Sequence, residues 1–161
     1  MKKSILLGTL AVAGLTAGIA SAQSTMEQVQ ARGSLKCGSN EGLAGFAAPD
    51  ANGNMQGFDV SLCRAIAVAV LGDAQAVEFV PLTSQTRFTA LAAGEVDVLV
   101  RNSTWTFSRD TDLKLDFVGV NYYDGQGFMV RSDLGVSSAR ELDGATVCIQ
   151  TGTTTELNLA D

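Results

Sequence analysis

The chain has 161 residues, 17 acidic against 11 basic side chains, and a formal net charge of −6, which suits neither nucleic acid nor an anionic membrane as partner. It contains no histidine, which excludes histidine-dependent catalysis and the commonest metal ligand. Its cysteines, Cys37, Cys63 and Cys148, are odd in number, so at least one thiol lacks an intramolecular partner.

Residues 1–22 have the three parts of an export signal. Lys2 and Lys3 supply the positive start, Ile5 to Ile19 is an apolar run broken by Gly8, Gly14 and Gly18, and Ala20-Ser21-Ala22 is a small-x-small cleavage site before Gln23. The glycines and the cleavage site argue against a membrane anchor. No cysteine follows the cleavage site, so a soluble, unlipidated chain in an oxidising compartment is expected, where a disulfide is permitted. Residues 23–33 are polar and weakly helical. Ser34 to Gly38 alternates and predicts the first strand. Residues 39–57 are rich in turn chemistry, with Asn52-Gly53 as a hairpin signal. Asp59 is placed to cap a helix running to about Leu71, with Leu62, Ile66 and Ala69 or Val70 as its apolar stripe, and Gly72-Asp73 ends it.

Ala76 to Leu82 predicts a second strand. Thr83 or Ser84 caps a helix through Ala93, with Phe88 and Leu91 facing a core and Gly94 as its stop. Val96 to Val100 reads as a buried strand. Leu115 to Val120, Gly127 to Arg131 and Ala145 to Ile149 predict three more strands, Ser138 to Leu142 a short helix, and Thr151 to Thr155 the approach to a last helix. This order predicts an α/β fold with a mainly parallel sheet and right-handed crossovers. Such a sheet binds ligands at the carboxyl ends of its strands. The loops at 39–46, 82–86 and 101–109 should open there together.

The loop Arg101-Asn102-Ser103-Thr104-Trp105-Thr106-Phe107-Ser108-Arg109 combines two guanidinium groups, an amide, four hydroxyls and an indole after a buried strand. An arginine fork holds a carboxylate in two parallel hydrogen bonds, and hydroxyls complete the binding of its oxygens. The competing reading is a solvated loop with Arg109 paired to Asp110 or Asp112. In Gln150 to Glu156, a strand passes into a helix whose first amides suit an anion. Thr153 and Glu156 also have capping-box spacing, which accounts for the same residues without a ligand. In the loop from Asn40 to Phe46, the Glu41 carboxylate could meet an ammonium, and Phe46 reads equally as pocket wall or as core. Glu95 and Asp97 lie at the amino end of their strand, opposite the expected site, and read as solvated surface; Arg87, on a helix, reads as structural.

The chain resembles the periplasmic amino-acid-binding proteins of ABC importers, with the general L-amino-acid-binding branch nearest. The resemblance spans residues 23–161 and rests on Gly45-Phe46-Ala47-Ala48-Pro49-Asp50, Gly57-Phe58-Asp59-Val60 and Pro81-Leu82-Thr83 with Arg87-Phe88-Thr89-Ala90-Leu91. It continues through Gly94-Glu95-Val96-Asp97-Val98-Leu99, Arg101 to Thr106 with Arg109, Tyr122 to Phe128, and Gly152-Thr153-Thr154-Thr155-Glu156. It implies a type II periplasmic-binding-protein-like fold, with two α/β lobes and a hinge closing over an amino acid. The implied domains are the signal peptide 1–22, a first lobe 23–120, and hinge plus incomplete second lobe 121–161.

The resemblance further implies that Arg109 grips the ligand α-carboxylate and that Asn102 and Thr104 hold its α-amino and carboxylate groups. Gly152, Thr153 and Thr154 would donate amides to the same carboxylate, and Leu43 and Phe46 would line the pocket, Leu43 standing where an aromatic is usual. The acid that binds the ammonium would lie beyond Asp161, so a C-terminally truncated chain is expected. Cys148 resembles a cysteine whose partner lies further along; Cys37 and Cys63 would then be the pair within the first lobe, if strand and helix bring them into reach. The implied protein is a monomeric periplasmic receptor, not an enzyme, with no cofactor and no metal, and with an amino acid and a membrane permease as partners. A cyclohexadienyl dehydratase on the same fold is the enzymatic alternative, and a sensory ligand-binding domain the third.

Overall fold

The computed structural model describes residues 23–161; the signal-peptide reading of residues 1–22 lies outside the described residues. Helix α1 (Thr25–Arg32) is better formed than its polar sequence suggests. Ser24 and Glu27 make a reciprocal capping box at its start, and Gly33 ends it in the left-handed region. Strand β1 (Leu35–Ser39) follows, then a short antiparallel hairpin of β2 (Ala48–Pro49) and β3 (Met55–Gln56). Helix α2 (Phe58–Leu71), strand β4 (Val77–Pro81), helix α3 (Arg87–Ala92) and strand β5 (Val98–Leu99) complete the α/β unit. Strands β4, β1 and β5 form a parallel sheet in that order, with Cys37 opposite both Phe79 and Val98. The chain leaves β1 towards one side for β4 and returns to its other side for β5. The strand order therefore switches beside the carboxyl end of β1, where ligands sit in such sheets.

Alternation along β1 sends its residues to opposite faces. Leu35 packs with Val29 and Ala67, and Cys37 with Cys63 and Val100, so α1 and α2 cover one face. Leu82, Ala90 and Val96 form the core beneath α3 on the other. Gly38 lies under that second core: a Cβ there would stand 2.9 Å from Leu82 Cδ1 and from Leu99 Cδ1, so only the missing side chain lets α3 settle. A disulfide joins Cys37 of β1 to Cys63 of α2, with Cα atoms 6.1 Å apart. Cys148 is free and exposed.

Several local expectations are corrected. Asp59 does not cap α2; Gly57 holds the cap position at φ 124, and a Cβ there would meet the Phe46 carbonyl oxygen at 2.2 Å. Asp59 is instead buried in the first turn. Thr83 exchanges reciprocal bonds with Thr86, and the turn they close precedes α3, which starts only at Arg87. Asp97 is not solvated surface: its largely buried carboxylate pairs with Arg32 and accepts the Lys36 N–H at 2.7 Å.

Beyond β5 come helix α4 (Phe107–Thr111), two 3-10 turns (Ser132–Leu134 and Ala139–Leu142) and helix α5 (Thr154–Ala160). The strands expected at 115–120, 127–131 and 145–149 do not form; among the described residues no ladder follows Leu99. A strand exists only when a neighbour takes its backbone bonds, and no paired neighbour stands beside these segments. Residues 126–128 and 147–150 run along a shared cavity of about 150 Å³ with Thr155 and Leu159. No described helix is long and apolar enough to cross a membrane.

Candidate functional site

Three loops open at the carboxyl edge of the sheet, and arginines gather where they meet. Arg87 opens α3, Arg101 follows the last core residue after β5, and Arg109 lies in α4. Their residues are only 2%, 7% and 9% exposed. A buried cation ordinarily lies against an anion, because leaving water costs it several kcal/mol. Here every recorded partner is neutral. Arg87 Nη1 donates to the Asn102 carbonyl at 2.5 Å and Nη2 to the Gly152 carbonyl at 3.1 Å, while its Nε has no partner. Arg109 Nη1 donates to the Thr104 carbonyl at 2.9 Å and Nη2 to the Gly152 carbonyl at 3.4 Å. Arg101 donates to the Leu82 carbonyl, to Ser84 Oγ at 3.3 Å and twice to Asn102 Oδ1. Among the described residues no carboxylate lies within ion-pair distance of any of the three.

The electrostatic consequence follows from burial. Desolvation and the charges of Arg101 and Arg109 pull the Arg87 guanidinium down to about 10. Burial likewise lowers Arg109 and Arg101, the latter partly restored by Glu41 and Asp59. The ring of Phe88 lies under two of the cations, 4.6 Å from Arg87 and 5.0 Å from Arg109, and so faces the arginines as well as its helix. The cluster is a preformed field for an anion.

Local sequence explains the positions. Thr106 Oγ1 accepts the Arg109 N–H at 3.2 Å and caps α4, which turns the Arg109 side chain back towards Thr104. Thr153 caps α5 in the same way and also donates to the Gln150 carbonyl at 2.7 Å. Glu156 completes the turn by accepting the Gly152 N–H at 2.8 Å. Gly152 has φ 81, and a Cβ would stand 3.0 Å from the Ser84 carbonyl oxygen, so a glycine lets the 150–154 turn rest on the loop after β4.

Of the residues singled out in the sequence, Asn102, Thr104, Arg109, Gly152 and Thr154 come together. Thr104 and Thr154 touch through their hydroxyls at 3.2 Å. Thr153 adjoins them with its hydroxyl committed to the cap. Leu43 and Phe46 belong to a separate group. Leu43 bridges Ala47, and Phe46 packs edge-on against Phe58 and, at 5.0 Å, against Tyr122. Sequence reasoning counted Arg101 in the candidate loop without giving it a role of its own, and missed Arg87 as a site residue. The available signal was position: both lie at the mouth of the same sheet edge as Arg109. Arg109 itself pairs with neither Asp110 nor Asp112.

The profile of the bacterial extracellular solute-binding proteins, family 3, matches residues 35–155. The chain is 73% identical over its whole length to 47% of the glutamate/glutamine/aspartate/asparagine-binding protein of Rhodobacter capsulatus. It is 55% identical over its whole length to 48% of the general L-amino acid-binding periplasmic protein of Rhizobium johnstonii. The chain thus spans about half the length of the curated relatives it matches. A solved ABC transporter periplasmic binding protein from Brucella ovis, with glutathione bound, superposes with a TM-score of 0.82 at 58% identity. That match covers 86% of this chain and 44% of the other.

Proposed function

The chain belongs to family 3 of the bacterial extracellular solute-binding proteins, and on that premise we propose that it carries the ligand-holding face of an amino-acid receptor. The receptor takes an L-amino acid outside the cytoplasm and passes it to the permease of an ABC importer without changing it chemically. The observation that carries the reading is the cluster of Arg87, Arg101 and Arg109, three buried cations with only neutral acceptors. An α-carboxylate supplies the negative charge that the cluster lacks, and each charge-assisted bond made to it contributes about 1.5–3 kcal/mol.

In this reading Arg109 grips the carboxylate, with Asn102 and Thr104 beside it and the 152–154 turn closing from the far side. Leu43 and Phe46 line the approach. Residues 23–120 form the first lobe, and residues 121–161 the hinge and part of a second. Residues 1–22 direct export to the periplasm and are removed, and the receptor works as a monomer. The glutathione in the Brucella ovis structure favours a wider ligand range on one chemical ground. Its glutamyl end carries a free α-amino and α-carboxylate group, the same zwitterion a single amino acid presents.

Titration calorimetry of the exported chain with L-glutamate, L-glutamine, L-leucine and glutathione tests the proposal. Binding of at least one is expected, with Arg109→Ala weakening it about 30- to 100-fold, the loss of one two-pronged charged contact. Unchanged affinity in that variant removes the carboxylate-clamp role. Turnover of prephenate or arogenate by the chain would favour the dehydratase alternative.

A further inference from the structure

Asn102 receives hydrogen bonds from the loop after β1, from its own loop and from the first residue of α3. Its side-chain oxygen accepts three N–H donors: Arg101 Nε at 3.1 Å, Arg101 Nη2 at 2.7 Å and Asn40 Nδ2 at 3.0 Å. Its backbone carbonyl accepts Arg87 Nη1. An asparagine amide can normally be turned over without changing its shape, so its direction must be read from its partners. Here two independent partners agree. A guanidinium only donates, so the atom facing Arg101 is the oxygen. The Gly42 N–H donates to Asn40 Oδ1 at 3.1 Å, which fixes Asn40 with its NH2 group outward and again requires an oxygen opposite. No described residue accepts from Asn102 Nδ2, and Asn102 itself is exposed. Arg101 is pinned in turn by the Leu82 carbonyl and Ser84 Oγ.

We propose that Arg101 is a positioning residue: it locks the Asn102 side chain with its NH2 group towards the ligand, so that this side chain offers donors only. This rests on the amino-acid-receptor reading above. It makes position 102 select for an acceptor, a carboxylate oxygen or an amide carbonyl, and reject an ammonium group. The Asn102 side chain therefore contributes to holding carboxylate and not amine, a narrower role than its place in the loop suggests. Arg101 reaches the ligand only through Asn102.

A double-mutant cycle tests this in the full exported chain, by calorimetry with L-glutamate and L-glutamine and with melting temperature recorded for each variant. Arg101→Met is expected to weaken binding about tenfold or more, and Asn102→Ala likewise. In the Asn102→Ala background, Arg101→Met is expected to cost less than about twofold further. Full additivity of the two effects, or an Arg101→Met variant that binds as the unaltered protein does, overturns the proposal while leaving the receptor reading intact. Absence of any amino-acid binding by the unaltered protein overturns both. Asn102→Asp separates positioning from a merely structural role: its carboxylate still accepts from Arg101, so the melting temperature should hold or rise, while affinity falls about tenfold or more. Unchanged affinity there overturns the proposal. Should Arg101→Met fail to fold, ¹⁵N spectra of the unaltered protein decide: the Asn102 side-chain NH2 pair should shift on adding L-glutamate, and an unmoved pair overturns the proposal.

Discussion

Thr104 and Thr154 meet hydroxyl to hydroxyl at 3.2 Å across fifty positions of sequence. One belongs to the loop after β5 and the other opens α5, so this contact ties the 150–154 turn to the arginine loop. Both hydroxyls are exposed or half-exposed, and an exposed neutral bond contributes about 0.5–1.5 kcal/mol at most. Thr104→Val and Thr154→Val should therefore each shift melting by only about 1–4 °C. If both hydroxyls serve the ligand, each substitution lowers amino-acid affinity several-fold, and the pair together lowers it by less than the product. Unaltered affinity in both variants removes the two hydroxyls from the proposed site.

Asp59 gives a pH-dependent prediction. Its residue is buried, Oδ2 has no partner, and Oδ1 accepts Asn121 Nδ2 at 3.3 Å. Burial raises its carboxyl above the usual carboxylate value, against smaller opposing effects of Asn121 and Arg101. The folded state then holds its proton more tightly than the unfolded state, so stability falls as pH rises from about 4 through the raised value. Asp59→Asn keeps the acceptor for Asn121 and removes the charge. Its melting temperature should match the unaltered protein near pH 4 and exceed it by about 2–4 °C at pH 7. A difference that does not change with pH contradicts this account.

The Cys37–Cys63 disulfide closes 26 residues of chain and on a chain-entropy estimate contributes about 3–4 kcal/mol. Thiol titration of the oxidised protein in denaturant should find one free group, Cys148, and three after reduction. Replacing Cys37 and Cys63 together with alanine should lower the melting temperature by about 10 °C. A calorimetric scan with no shift contradicts the estimate.

Elements that depend on nearby sequence were legible in advance. The extent of α2, the Asn52-Gly53 hairpin and the Thr153 cap follow from side chains within a few residues of the structure they form, although the buried face of α2 is Val60, Cys63 and Ala67 and the expected stripe only flanks it. What sequence missed depends on distant partners. Asp59 has a capping side chain, yet Gly57 takes the cap because the Phe46 carbonyl lies where a Cβ would go. Arg87 reads as a structural helix residue, and its place at the site depends on the distant carbonyls of Asn102 and Gly152 that close over it. Leu115 to Val120 has strand chemistry but no neighbour to receive its backbone bonds among the described residues. At the site, the 101–109 loop announced itself by composition; the direction of the Asn102 amide depends on Asn40 and Arg101 together and is invisible in either alone.

The placement of β1 between β4 and β5 has a consequence for behaviour in a crowded solution. A sheet recruits strangers through its unpaired margins, and both margins of this one make poor templates. On the β5 side only Val98 and Leu99 are in strand conformation, too short a row to hold another chain. On the β4 side Glu78 is exposed and charged, and the strand ends at Pro81, which has no N–H to offer. The most buried strand, β1, is kept in the middle, and the margins of this sheet are ill suited to joining further copies edge to edge.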